Sequence, residues 1–123
     1  MRFLGLLSLI LLLTIVIGSI VGCGRSEKFG EEITVIKVTK IKDILIDPDK
    51  YVGKTIRVEG KIIRECPSGC WFYLKDDTGT IYVNLHASGF TIPQRVGAEV
   101  VVEGELKSEE ERKEIVGKGV EIR

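Results

Sequence analysis

An excess of charge of either sign is missing from this chain: 18 basic and 18 acidic side chains cancel. Nucleic-acid binders ordinarily carry a basic footprint, because neutralising phosphates supplies most of their affinity, so the balance argues against that class. A catalytic set is missing too. The single His, His86, belongs to no recognisable Ser/His/Asp arrangement. No phosphate-cradling glycine loop is present, and no pair of carboxylates presents acid and base roles. The run Glu109-Glu110-Glu111 reads as a solvated turn. A non-enzymatic protein is therefore expected. Internal repeats and low-complexity tracts are absent, and a chain of 123 residues holds one domain at most. Asn, Gln and Met occur once each among many Lys, Glu, Ile and Val, a composition that leans toward a thermophile.

What is present begins with a long apolar run. After Arg2, residues 3–17 carry no charge, and Ile20-Val21-Gly22-Cys23 closes the stretch. A charged start, an apolar middle and a small residue before the cut describe a secretory signal. The closing tetrapeptide resembles a lipobox, which implies cleavage, lipidation of Cys23 and a membrane-tethered, extracytoplasmic domain. An uncleaved transmembrane anchor is the alternative, since roughly 20 apolar residues span a bilayer. The expected division is a signal over residues 1–22, a polar tether over 23–32 and the folded domain over 33–123.

In the domain, residues 33–38 read as a short edge strand and Thr39 as the N-cap of a short helix over 40–46, ended by Asp47-Pro48. Residues 55–63 alternate, with Ile56, Val58 and Ile62 on one face, and Gly60 marks a bend that lets one strand serve both halves of a small barrel. Residues 71–75 and 80–85 form a hairpin around the turn Asp76-Asp77-Thr78-Gly79. That turn sets Phe72 opposite Val83 and Leu74 opposite Ile81 on the inner face, and Trp71 opposite Asn84 and Tyr73 opposite Tyr82 on the outer face. Residues 87–95 read as loop or helical turn, with Phe90 and Ile92 plugging a barrel end. Residues 99–105 and 114–122 read as strands, joined by a charged turn over 107–113. An all-β fold with one short N-terminal helix follows: the five-stranded Greek-key OB-fold barrel.

Tyr51-Val52-Gly53-Lys54-Thr55-Ile56-Arg57-Val58-Glu59-Gly60-Lys61 and Val100-Val101-Val102-Glu103-Gly104 resemble the paired strands of prokaryotic extracytoplasmic OB-fold proteins. Cys66 with Gly69-Cys70-Trp71, then Gly89-Phe90-Thr91-Ile92-Pro93, is similar to a group of small uncharacterised lipoproteins and periplasmic proteins of this fold, within the tRNA-anticodon-like bacterial OB-fold group. The resemblance covers roughly residues 42–122. It implies the fold and little about activity, because fold does not fix function.

Two constellations stand out. With a three-residue loop, Cys66 faces Cys70, Arg64 faces Phe72 and Ile62 faces Leu74; opposed residues in an antiparallel pair lie within disulfide reach. A structural disulfide is the first reading, since such a pair oxidises outside the cytoplasm. A redox-active pair or a Cu or Zn site using Cys66, Cys70 and His86 are the alternatives. The second constellation is Trp71, Tyr73, Tyr82 and Asn84 on the outer face, where OB-folds bind oligonucleotides and sugars. It is covered by the linker, by the helix over 40–46 or by a partner, or it is open to a ligand. The leading reading is a lipid-anchored binding module for a partner protein or small ligand, with nucleic acid disfavoured by charge.

Overall fold

The computed structural model describes residues 26–123. The expected signal over residues 1–22 and the lipidation site Cys23 lie outside them. Among the described residues no helix is long and apolar enough to cross a membrane. The elements are β1 (Glu27–Gly30), α1 (Ile41–Ile46), β2 (Thr55–Glu65), β3 (Trp71–Lys75), β4 (Thr80–Asn84), β5 (Glu99–Glu109) and β6 (Arg112–Ile122), with short 3-10 turns at Pro48–Lys50 and His86–Ser88. Strands β2 to β6 close into a barrel in the order β6-β4-β3-β2-β5, and β5 pairs back onto β6. This is the expected all-β OB-fold barrel with one helix.

The bent strand sits where the alternation places it. Strand β2 pairs with β5 from Thr55 to Lys61 and with β3 from Lys61 to Glu65, so it changes partner one residue past Gly60. Ile56, Val58 and Ile62 are buried with Phe72, Leu74, Ile81, Val83, Val100, Val102, Leu106 and Ile115. Burial of each such side chain contributes about 1.5–3 kcal/mol.

One end of the barrel is closed by α1. Six residues make too short a helix to persist alone. Ile41 and Ile44 are fully buried in the core, and the β3–β4 turn supplies the missing cap. Asp76 Oδ2 accepts from the Ile41 N–H at 2.9 Å, and Thr78 Oγ1 accepts from the Lys42 N–H at 3.0 Å. Thr39 is not the cap: Lys40 holds the N-cap position and makes no side-chain cap bond, while the Thr39 N–H donates to Arg57 O at 2.8 Å. Ile92, buried, and Phe90, partly buried, pack on the core from residues 87–95, as expected for a plug.

Three expectations need correcting. Glu27–Gly30, inside the stretch read as tether, is a strand on β6 that pairs with residues 119–122, on the edge that β4 occupies along residues 114–116. Its polarity hid it: Glu27, Lys28 and Gly30 are exposed and only Phe29 is partly buried. Residues 33–38 are not a strand; they form an irregular strap whose β-pairing with the barrel is a single parallel bridge, Val38 to Arg57. The turn expected over 107–113 shrinks to Glu110 and Glu111, because β5 and β6 run on as a solvated ribbon, Ser108 paired with Lys113 and Lys107 with Glu114. Backbone pairing continues there without the apolar alternation that reveals a strand in sequence.

The strap is tied to the barrel by a buried carboxylate. Glu103, only 6% exposed, accepts from the Thr34 N–H at 2.7 Å and from the Thr34 hydroxyl and Val35 N–H at 3.3 Å. Arg57 donates to Val35 O at 3.2 Å. Residue 119 must be glycine where the strap crosses β6, because a Cβ there would meet Glu31 O.

Candidate functional site

The hairpin register is the expected one at every position: Trp71 pairs with Asn84, Phe72 with Val83, Tyr73 with Tyr82, Leu74 with Ile81 and Lys75 with Thr80. The inner residues are buried, and Trp71, Tyr73, Tyr82 and Asn84 are half-buried on the outside. The three rings form one cluster. Trp71 meets Tyr73 edge-on with centroids 5.8 Å apart, Tyr73 meets Tyr82 at 5.4 Å, and Trp71 lies tilted to Tyr82 at 5.8 Å. Asn84 takes a local role: its Oδ1 accepts from the His86 N–H at 2.9 Å.

Neither the strap nor the helix covers this cluster. The strap is held over β2, β5 and β6 by Glu103, and α1 sits on the barrel end. Two arginines flank the rings instead. The Arg64 guanidinium carbon lies 5.9 Å from the Trp71 ring centre, and that of Arg112 5.1 Å from Tyr82. At such distances a cation over an aromatic face gains about 0.5–1 kcal/mol at an exposed site. Burial pushes the Tyr82 phenol up from its ordinary range, with the Arg112 charge opposing, so it stays a neutral donor. A hollow of about 210 Å³ lined by Lys107, Glu109, Arg112 and Glu114 adjoins the Arg112 side. A larger one of about 380 Å³, with Lys37, Lys40, Lys50 and Tyr51 in its wall, lies under the strap and helix, away from the rings.

The two arginines were not legible as site residues. Arg64 reaches the outer face through a β-bulge between Ile62 and Arg64. With an even register Arg64 would face Phe72; the bulge leaves Ile63 outward at 44% exposure, turns Arg64 outward opposite Tyr73 and pairs Glu65 with Phe72. Arg112 arrives from β6, whose parallel pairing with β4 sets Glu114 beside Tyr82. A one-residue insertion reverses every later side chain, and nothing in residues 62–65 announces it.

The same bulge corrects the cysteine loop. Cys66 N–H donates to Trp71 O at 3.0 Å, so Cys66 faces Trp71 rather than Cys70. Both thiols are free and half-exposed, with sulfurs 3.0 Å apart and no bond between them, whereas a disulfide needs about 2.05 Å. Ser68 Oγ lies 3.1 Å from Cys66 Sγ and 3.5 Å from Cys70 Sγ. Hydrogen bonds from the Ser68 hydroxyl and then from the Cys70 thiol hold the Cys66 thiol down to about 6. His86 does not join the pair. Although Leu85 N–H donates to Cys70 O at 2.9 Å, no group of three His, Cys, Asp or Glu is placed to hold a metal ion among the described residues.

No family model matches the chain, and no curated protein matches it. Among solved structures it is similar to the hypothetical protein ygiW from E. coli, at 18% identity and a TM-score of 0.54, over 77% of this chain and 97% of that one. At that identity the likeness shows the fold alone. It places this barrel beside that protein in fold and leaves the ligand to be argued from the site.

Proposed function

We propose that the chain is a membrane-tethered, extracytoplasmic OB-fold binding module that takes a small ligand or a partner protein on the outer face of β3 and β4, without catalysing a reaction on it. The observation that carries the reading is the disposition of the covering elements: the strap lies over β2, β5 and β6 and the helix closes an end, while three rings stay half-exposed together. Rings in contact and flanked by Arg64 and Arg112 suit a ligand with a flat face and a negatively charged group. The balanced charge of the chain disfavours a long nucleic acid. Membership in the group of small lipoproteins with the Cys66 and Gly69-Cys70-Trp71 pattern belongs to this reading, as does lipid on Cys23.

Trp71 is the only Trp in the chain, so its emission reports on the face directly. A panel of planar anions, glycans and peptides titrated onto the protein is expected to contain a compound that shifts this emission in the native chain and binds at least tenfold more weakly to Arg64→Gln and Tyr82→Ala. A shift unaffected by both substitutions, or none across the panel, sinks the reading. For the anchor, Cys23→Ala is expected to release the protein from membranes or to leave an uncleaved precursor. Unchanged attachment at unchanged mass makes residues 3–21 a transmembrane anchor.

A further inference from the structure

We propose that Cys66 and Cys70 form a thiol–disulfide exchange site that takes an external disulfide as its oxidant, Cys66 being the attacking sulfur and Cys70 the resolving one. The site is distinct from the aromatic face, although Trp71 follows Cys70 directly.

The first argument is the distance. At 3.0 Å the sulfurs need an approach of about 1 Å to bond. Tetrahedral zinc with ~2.3 Å bonds to two thiolates would hold them about 3.8 Å apart, wider than found, and the described residues offer no third ligand.

The second argument is that the loop keeps its shape without a disulfide. Gly69 N–H donates to Cys66 O at 2.8 Å and Cys66 N–H to Trp71 O at 3.0 Å. From the neighbouring loop, Ile92 N–H donates to Gly69 O at 3.1 Å, and the Gln94 side-chain amide donates to Cys66 O at 2.5 Å and to Pro67 O at 3.0 Å. Gly69, at φ 74°, permits the close approach: a Cβ there would meet Ile92 O. The dithiol is therefore preorganised, and closing so small a ring restricts the unfolded chain little. A pair whose reduced form is held this well makes a reversible couple rather than an inert staple.

The third argument assigns the roles. Ser68 Oγ is nearer to Cys66 Sγ than to Cys70 Sγ, and the Cys70 thiol donates to Cys66. Negative charge therefore settles on Cys66, which is half-exposed. Its thiolate attacks one sulfur of R–S–S–R; a bond forms between Cys66 and that sulfur, and the other leaves as RS⁻, which takes a proton from water. Cys70 then gives its proton to solvent and attacks Cys66 Sγ, expelling the second RS⁻, which is protonated in turn. The dithiol loses two electrons, and the external disulfide gains them as two thiols.

The full chain, reduced and purified in detergent, is mixed with oxidised glutathione as the small probe and with oxidised unfolded ribonuclease as the protein probe. Differential alkylation and mass analysis of the fragment holding both Cys66 and Cys70 keep Cys23 out of the reading. The expected result is a disulfide that an excess of reduced glutathione reopens, initial attack at Cys66 at least tenfold faster than at Cys70, and a several-fold slower reaction in Ser68→Ala. Cys70→Ser is expected to stop at a mixed disulfide on Cys66. Circular dichroism confirms that each variant is folded. The faster probe identifies the natural class of disulfide. Exchange with neither probe, a closed disulfide that glutathione leaves intact, or equal attack at both sulfurs overturns the proposal.

Discussion

The barrel has two outer faces, and they are treated in opposite ways. Over β2, β5 and β6 the surface carries Arg57, Glu59, Val101 and Glu103, and residues 31–38 lie across it, fixed by the carboxylate of Glu103. Over β3 and β4 the surface carries three aromatic rings, and among the described residues no strap covers them. A polar face is covered and an apolar face is left half-open, the reverse of what burial alone would choose. The difference is what the proposed function rests on: the covered face secures residues 31–38, while the open one keeps apolar area that the described elements leave half-exposed. The strap itself carries Ile36, 89% exposed, so an apolar residue was at hand and is not spent on the rings.

The sharpest way to break the contrast is to compare the two sides of β3. Phe72→Ala, on the inner side, is expected to destabilise the fold by about 3–5 kcal/mol in denaturant unfolding, as other buried aromatics do. Trp71→Ala, next in sequence but on the outer side, is expected to cost only about 1 kcal/mol, the worth of its ring and cation contacts. Equal losses would make the aromatic face a piece of core.

Asp76→Ala comes next, at about 2–3 kcal/mol. It removes an ionised acceptor shared by the Ile41, Thr78 and Gly79 N–H groups and the Thr78 hydroxyl. Partial burial opposes ionisation of Asp76, yet these donors outweigh it and hold the carboxyl below its usual range. A depressed carboxyl stabilises the fold above its unfolded-state value near ~3.9 and loses that contribution as pH falls through the lower folded-state value. Native protein is thus expected to lose stability on acidification in that window, and Asp76→Ala to lose less.

Glu103→Gln sharpens the covered side. It keeps the shape and weakens three charge-assisted bonds, so a loss of about 1–2 kcal/mol is expected, with faster hydrogen exchange at the Thr34 and Val35 amides and no change at β3. Exchange unchanged at Thr34 would show that the strap is held by other contacts. The smallest effect on stability belongs to the cysteine loop: Ser68→Ala is expected to change it by roughly 0.5 kcal/mol or less. Its readout is reactivity. Alkylation of native Cys66 is expected to rise with pH through about 6 and then level off, and Ser68→Ala to move that midpoint toward the ordinary thiol range near ~8.5.

Local pattern determined what a short stretch can specify. The Asp76-Asp77-Thr78-Gly79 turn set the hairpin register, and with it which residues of β3 and β4 face the core, because a tight turn and a side-chain period of two leave one solution. The alternation from Ile56 to Ile62 and the glycine within it determined the long bent strand, and Asp47-Pro48 marked the end of the helix. Only the tertiary structure decided the rest. The bulge at Ile63 gives no local signal and depends on the loop that Ile92 and Gln94 clamp; it alone sends Arg64 to the rings and Cys66 across from Trp71. Strand β1 and the outer ends of β5 and β6 have polar sequences and exist because a neighbouring strand satisfies their backbone groups. The strap's path depends on Glu103, far along the chain from Thr34 and Val35. Each of these is a pairing between distant residues, and the energy that selects it is shared between two segments that neither one displays alone.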